Sequence, residues 1–219
     1  MLILSSFILL IGSAFYYCYF DYQFWTHLDT RSFDHLTTYR TNQIKGWRGR
    51  QILIHEQFLS HLKRMNTYAR KNHLELIITH SYRIPGEKPD YSVVEAADYS
   101  NHSAGYAVDL NIKYQGKHFN STQVNPRHFN HLPGPIQHFI NRIRQDQQLR
   151  WGGDFYRPDP VHFDVPLNQI SAPRYRKYYK ACASDYREAP LKWKSWLAAI
   201  GFQISRLFYK GQLLLTPEG

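Results

Sequence analysis

Four polar side chains in two short segments have the types and spacing to hold a metal ion and use it. The first segment is Ser100-Asn-His102-Ser-Ala-Gly105-Tyr-Ala107-Val-Asp109; the second, about fifty residues on, is Asp159-Pro-Val-His162-Phe-Asp164. Around Asp109, apolar and polar residues alternate: Val108, Leu110 and Ile112 against Asp109 and Asn111. In a strand this sends Asp109 to the polar face. His162 stands likewise between Val161 and Phe163. Gly105 permits a turn that folds His102 back toward the start of the Asp109 strand. If the two strands are neighbours, His102, Asp109 and His162 converge. Two imidazoles and one carboxylate leave a fourth tetrahedral position open, the ligand count of a catalytic zinc site rather than a structural one.

Such a site needs a general base, and three carboxylates compete. Asp159 lies three residues before His162, with Pro160 bending the chain between them, so both side chains can reach one ion. Asp164 shares the face of His162 by alternation. Asp154 sits on the Gly-rich Trp151-Gly-Gly-Asp154-Phe155 loop. Asp159 is the leading candidate. Zinc lowers the pKa of water toward about 7, where a carboxylate can take its proton. The other histidines, His128 and His131 included, form no second ligand pattern.

The Ser-x-His-x-x-Gly-x-Ala-x-Asp motif followed by Asp-x-x-His resembles the zinc D-Ala-D-Ala carboxypeptidase and L-alanyl-D-glutamate endopeptidase family, which includes vancomycin-resistance dipeptidases and phage endolysins. The likeness covers residues 51–170. It implies a Hedgehog/DD-peptidase-like α+β fold, zinc held by His102, Asp109 and His162, Asp159 as the base, and a substrate site at Arg83 with Tyr82 and Ser100. Trp-Gly-Gly-Asp-Phe, His-Phe-Asp and an Asp rather than Glu at 159 resemble the endopeptidase branch. His80-Ser81 replaces the family's Ser-Gly before Tyr-Arg. His80 and Arg83 differ by an odd number, so simple alternation turns His80 away from the site. The expected activity is hydrolysis of peptidoglycan stem peptides, first as an L-alanyl-D-glutamate-type endopeptidase and second as a D-Ala-D-Ala carboxypeptidase. The non-enzymatic alternative is a zinc-stabilised wall-binding module.

The elements that must position these residues are legible in outline. Ile52 to Ala69 repeats apolar residues at helical spacing, predicting a helix over 51–71. Leu76 to Tyr82, Tyr106 to Lys113 and Val161 to Val165 predict strands, and 135–147 a second helix. Residues 84–100, with Pro85, Gly86 and Pro89, predict a loop. Together they predict a small, mainly antiparallel sheet with flanking helices. The flanks read differently. Residues 1–20 are apolar and uncharged, long enough as a helix to span roughly 30 Å; a membrane anchor leads, with a cleaved signal and a core helix as alternatives. Residues 21–50 read as an irregular arm. Residues 171–219 read as a basic aromatic tail, with 191–210 either an amphipathic membrane-surface helix or a helix packed on the domain.

The chain has 219 residues, enough for one core with attachments. Two cysteines exclude a disulfide framework or a Cys-rich zinc module. A net charge of +10 predicts attraction to polyanions such as a wall polymer or acidic lipid. No recognisable nucleic-acid motif accompanies the charge, so no nucleic acid is expected. The expected location is the periplasm or cell-envelope space, membrane-anchored or secreted. The basic residues after the span (Arg31, Arg40, Lys45) pull the other way by the positive-inside tendency.

Overall fold

The computed structural model describes residues 28–85 and 99–189. They fall into two compact units. Of the smaller, the described part is 28–29 with Arg48–Gln51, where Leu28 and Gln51 exchange hydrogen bonds between backbone and side-chain amide. The larger, Thr30–Trp47 with Ile52–Ala189, holds every site residue considered above.

Its strands are β1 (Leu36–Thr38), β2 (Ile44–Gly46), β3 (Leu53–His55), β4 (Glu75–His80), β5 (Ala107–Tyr114), β6 (Lys117–Phe119), β7 (Arg150–Trp151) and β8 (His162–Asp164). Its α-helices are α1 (Leu59–Lys71), α2 (Gly134–Arg144), α3 (Leu167–Ile170) and α4 (Ala172–Glu188). The main sheet runs β2-β4-β5-β8-β7, with β6 also on β5; β1 and β3 pair separately. The class is α+β, but the sheet is mixed: β2 lies parallel to β4 and the other pairs are antiparallel.

One sheet face makes the core. Leu76 and Ile78 from β4, Val108, Leu110 and Ile112 from β5, and Phe163 from β8 pack against Leu62 and Met65 of α1 and Phe139 and Ile140 of α2. The 3.6-residue period of α1 and α2 supplies the covering stripe. Alternation along β5 therefore frees Asp109 for the other face.

Three local features differ from expectation. Ile52 to Ile54 does not begin the helix. Leu53–His55 is a strand, because distant residues claim its backbone: Leu53 N–H donates to Ser81 Oγ (3.0 Å) and Tyr82 N–H to the Leu53 carbonyl (2.8 Å). Within the stretch read as an arm, β1 and β2 are strands, and Ile44 is fully buried. Within the stretch read as a tail, α4 buries Tyr175, Tyr178, Cys182 and Ala183 on one stripe. Among the described residues no helix is long and apolar enough to cross a membrane; residues 1–20, read first as an anchor, and 191–210, read as a membrane-surface or a packed helix, lie outside them.

A bulge interrupts β4. Ile78 is opposite Leu110, yet His80, not Thr79, is opposite Asp109. Two residues on β4 thus oppose one step on β5. Thr79 Oγ1 fastens the irregularity by donating to the Asp109 carbonyl (3.1 Å).

Candidate metal centre

Asp109 and His162 are directly opposed across the antiparallel β5–β8 pair, so their side chains share a face. His102 comes to them on a 3-10 turn, Asn101–Ala104. Ser100 Oγ caps the turn by accepting from His102 N–H, and Gly105 closes it at φ 70°. A side chain at 105 would also meet the His55 backbone nitrogen at 2.4 Å, so only glycine fits the fold-back. α4 backs the turn: Tyr175 Oη donates to the Ser100 carbonyl (3.0 Å), and Cys182 Sγ lies 3.7 Å from the Ala104 carbonyl.

The result is a tight triangle. His102 Nε2 lies 3.2 Å from Asp109 Oδ1 and 3.2 Å from His162 Nδ1; His162 Nδ1 lies 3.0 Å from Asp109 Oδ1. Each imidazole is oriented from behind. His102 Nδ1 is 2.7 Å from the Ser81 carbonyl, which only accepts, so Nδ1 carries the hydrogen and Nε2 presents a lone pair. His162 Nε2 faces Asp164 Oδ2 at 3.5 Å, leaving Nδ1 for the centre. Three electron-pair donors thus point at one another. In a tetrahedral zinc site, bonds of about 2.0–2.1 Å set ligand–ligand edges near 3.3 Å. The donor set and its spacing fit such an ion.

The electrostatics agree. Burial alone would raise the Asp109 pKa, but His102 and His162 outweigh it and hold the carboxylate well below its usual range. Burial likewise opposes charge on His162, yet Asp109 and Asp164 lift its pKa to about 10. The pocket favours positive charge.

Asp159 is tuned the opposite way. Burial, then the neighbouring Asp109 charge, raises its carboxyl above the ordinary range, against the pull of His162 and His102. Its Oδ1 is buried with no hydrogen-bond partner. Pro160 is the second residue of a turn closed by His162 N–H to the Asp159 carbonyl (3.0 Å). Trp151 Nε1 holds the Pro160 carbonyl at 2.7 Å, and Asp159 N–H donates to the Gly152 carbonyl at 2.9 Å. A Cβ on Gly152 would sit 2.4 Å from the Asp159 carbonyl oxygen and 2.9 Å from His162 Cβ. The Gly-Gly loop is what lets these segments touch.

The rival carboxylates are occupied. Asp164, almost wholly buried, takes both Arg150 Nε (3.0 Å) and Nη2 (2.7 Å) and also Asn101 Nδ2 (2.7 Å). It braces His162. Asp154 lies outward, paired with Arg144 at 2.7 Å, whose guanidinium covers the Phe129 and Trp151 rings.

Arg83 stands beside the His102 turn: its Nη2 donates to Ser100 Oγ (3.1 Å), and its N–H to the His102 carbonyl (3.3 Å). Ser100 is therefore tied both to Arg83 and to the turn it caps. Tyr82 turns elsewhere, packing 5.4 Å from the Tyr186 ring of α4 with its hydroxyl buried and unpartnered. His80 is the reverse surprise. Its Nδ1 lies 3.6 Å from Asp109 Oδ2, on the site face, because the β4 bulge sets His80 rather than Thr79 opposite Asp109, and the strand ends there, so alternation does not run on to Arg83. Sequence reasoning also missed Asn101 and Arg150 as braces. Asn101 lies inside the motif, but nothing in its spacing marks a contact with a residue 63 positions on.

Residues 94–165, about a third of the chain, match a family model described as D-alanyl-D-alanine carboxypeptidase. All three converging residues and Asp159 fall inside the matched span; Arg83 and His80 lie before it. No curated protein matches the chain.

Proposed function

We propose, from the match of residues 94–165 to a family model described as D-alanyl-D-alanine carboxypeptidase, that the protein is a zinc-dependent peptidase that trims peptidoglycan stem peptides by removing their terminal D-alanine. One observation carries the reading: His102 Nε2, Asp109 Oδ1 and His162 Nδ1 converge, and the Asp159 carboxyl, with one oxygen buried and unpartnered, is near enough to feel the charges of all three residues. The first three side chains would hold the ion. When bound, zinc supplies Lewis acidity, polarising a carbonyl and bringing the pKa of water toward about 7.

Asp159 takes the proton of the attacking water. Its raised pKa makes it a stronger base than a surface carboxylate. As the carbon–nitrogen bond breaks, Asp159 returns the proton to the leaving amine. Arg83, braced by Ser100, offers its fork to the carboxylate at the end of the peptide. The basic composition suits an anionic wall polymer, and the reading places the domain on the envelope side of a membrane.

The family description reverses the order of the two activities, putting the carboxypeptidase first. The endopeptidase keeps specific support from Asp at 159 and from the Trp-Gly-Gly-Asp-Phe segment. A stem pentapeptide ending in D-Ala-D-Ala, incubated with the protein and resolved by mass spectrometry, separates them. Loss of a single alanine from the C-terminus, abolished by a chelator, is expected. Release of the N-terminal L-alanine instead assigns the endopeptidase. Wall binding without either cleavage overturns the enzymatic reading.

A further inference from the structure

His80, Asp109 and His162 form one rung across three adjacent strands. His80 on β4 is opposite Asp109 on β5, which is opposite His162 on β8. Cross-strand partners in antiparallel pairs place their side chains side by side on one face. The two oxygens of Asp109 are divided along this rung. Oδ1 faces both His102 and His162, at 3.2 and 3.0 Å. Oδ2 faces His80 Nδ1 at 3.6 Å, beyond a hydrogen bond but within reach of an ion pair. The backbone of Asp109 is held from the same strand as His80, through the Thr79 hydroxyl donating to its carbonyl.

We propose that His80 is a positioning residue for the metal centre, engaging the outer oxygen of Asp109 so that the carboxylate offers the ion one oxygen only. The inference rests on the zinc-site reading above. A carboxylate free to rotate can bind through both oxygens and occupy the place a substrate needs. His80 opposes this from the mouth of the site, where its side chain is 38% exposed while that of Asp109 is 16% exposed. Residues that hold a ligand from behind typically alter metal affinity by about 10- to 100-fold when removed. Because His80 touches the ligand rather than the reacting atoms, its effect is on the ion before it is on the reaction.

The test uses the full chain and zinc alone, by competition with a chromophoric chelator. Wild type is expected to bind one equivalent. His80→Phe keeps the bulk and removes the donor; its zinc affinity is expected to fall by about 10- to 100-fold. His80→Gln keeps a donor amide and is expected to recover most of the loss. Cobalt(II) supplies a second readout, since a carboxylate gaining a second bond weakens the visible absorption of a four-coordinate site. In His80→Phe that absorption is expected to drop. If wild type binds zinc, His102→Ala abolishes binding, and His80→Phe matches wild type in affinity and cobalt spectrum, the positioning role is overturned and the metal site stands. If wild type binds no zinc, the metal-site reading fails and takes the proposal with it. A thermal melt of His80→Phe equal to wild type is required; if that variant melts early, His80→Leu, which also lacks a donor, carries the comparison.

Discussion

Arg150 grips Asp164 with two parallel hydrogen bonds, Nε to Oδ1 at 3.0 Å and Nη2 to Oδ2 at 2.7 Å, directly behind His162. The Asp164 side chain is 2% exposed and that of Arg150 31%, so the carboxylate is the buried member. Burial would raise the Asp164 pKa, but His162 and Arg150 bring it down to about 2. Arg150→Met leaves that carboxylate without its main partner. Stability is expected to fall toward the lower end of the about 3–5 kcal/mol seen for broken buried pairs. Zinc affinity is expected to drop by about 10- to 100-fold as His162 loses its brace. Urea titration and zinc competition measure the two effects; unchanged affinity sinks the brace.

Asp159 is expected to separate binding from turnover. Asp159→Asn removes the basic oxygen while keeping shape and volume. Hydrolysis is expected to fall by about 10²- to 10⁴-fold, with zinc stoichiometry unchanged, because the three converging donors are elsewhere. Steady-state rates on a D-Ala-D-Ala peptide, with metal content per chain, check this. Activity within a few-fold of wild type would return Asp164 and Asp154 to consideration.

Gly152 is a test of close approach rather than of chemistry. Gly152→Ala drives a methyl group against the Asp159 carbonyl and His162 Cβ. The neighbours are backbone and a strand residue, which cannot swing aside. The expected cost is about 1–3 kcal/mol of overpacking, with activity reduced far beyond the change in folded fraction. Gly134→Ala, where an added Cβ meets nothing within 4 Å, is the matched control.

His55 ties folding to pH away from the metal centre. It is 1% exposed, its ring centroid 4.1 Å from that of Tyr178, and its Nδ1 accepts from Gln57 N–H. Burial first, then the charge of His35, lowers its pKa from 6.5 to about 4. The unfolded chain therefore takes up a proton near pH 6.5 that the folded chain refuses until about pH 4. Stability from this group is whole above pH 6.5, falls as pH drops through that window, and levels off below about 4. The loss is at most about 3 kcal/mol at 1.36 kcal/mol per pH unit. Denaturation midpoints between pH 7 and 4 should fall less steeply in His55→Phe; parallel curves would sink the assignment.

Local pattern carried the centre of the site. Alternation at Val108-Asp109-Leu110 and Val161-His162-Phe163 placed the two residues on the polar face, and strand pairing set them opposite one another. Gly105 signalled the fold-back of His102. Pairing decided at long range was not legible. The strand Leu53–His55 hid in a helical repeat because its partners lie at Ser81 and in β1. The parallel edge at β2 rests on Ile44 to Gly46, three residues with no period to read. Arg150 and Asn101 meet Asp164 only after β7, β8 and the His102 turn are assembled. Tyr82 was drawn to the site by its place beside Arg83, whereas the buried face of α4 claims its ring.

Thr79 acts as a frame shift within a strand. Up to Ile78 the inward residues of β4 follow one parity; from His80 onward they follow the other. Were the bulge to close with the threonine kept, Thr79 would stand opposite Asp109, His80 would swing toward the side occupied by Val108, and Ser81, Tyr82 and Arg83 would be carried with it. The Ser81 carbonyl would then leave His102 Nδ1 and the Arg83 guanidinium would leave Ser100. A slip of one residue in register, touching no ligand, would thus dismantle two sides of the pocket at once.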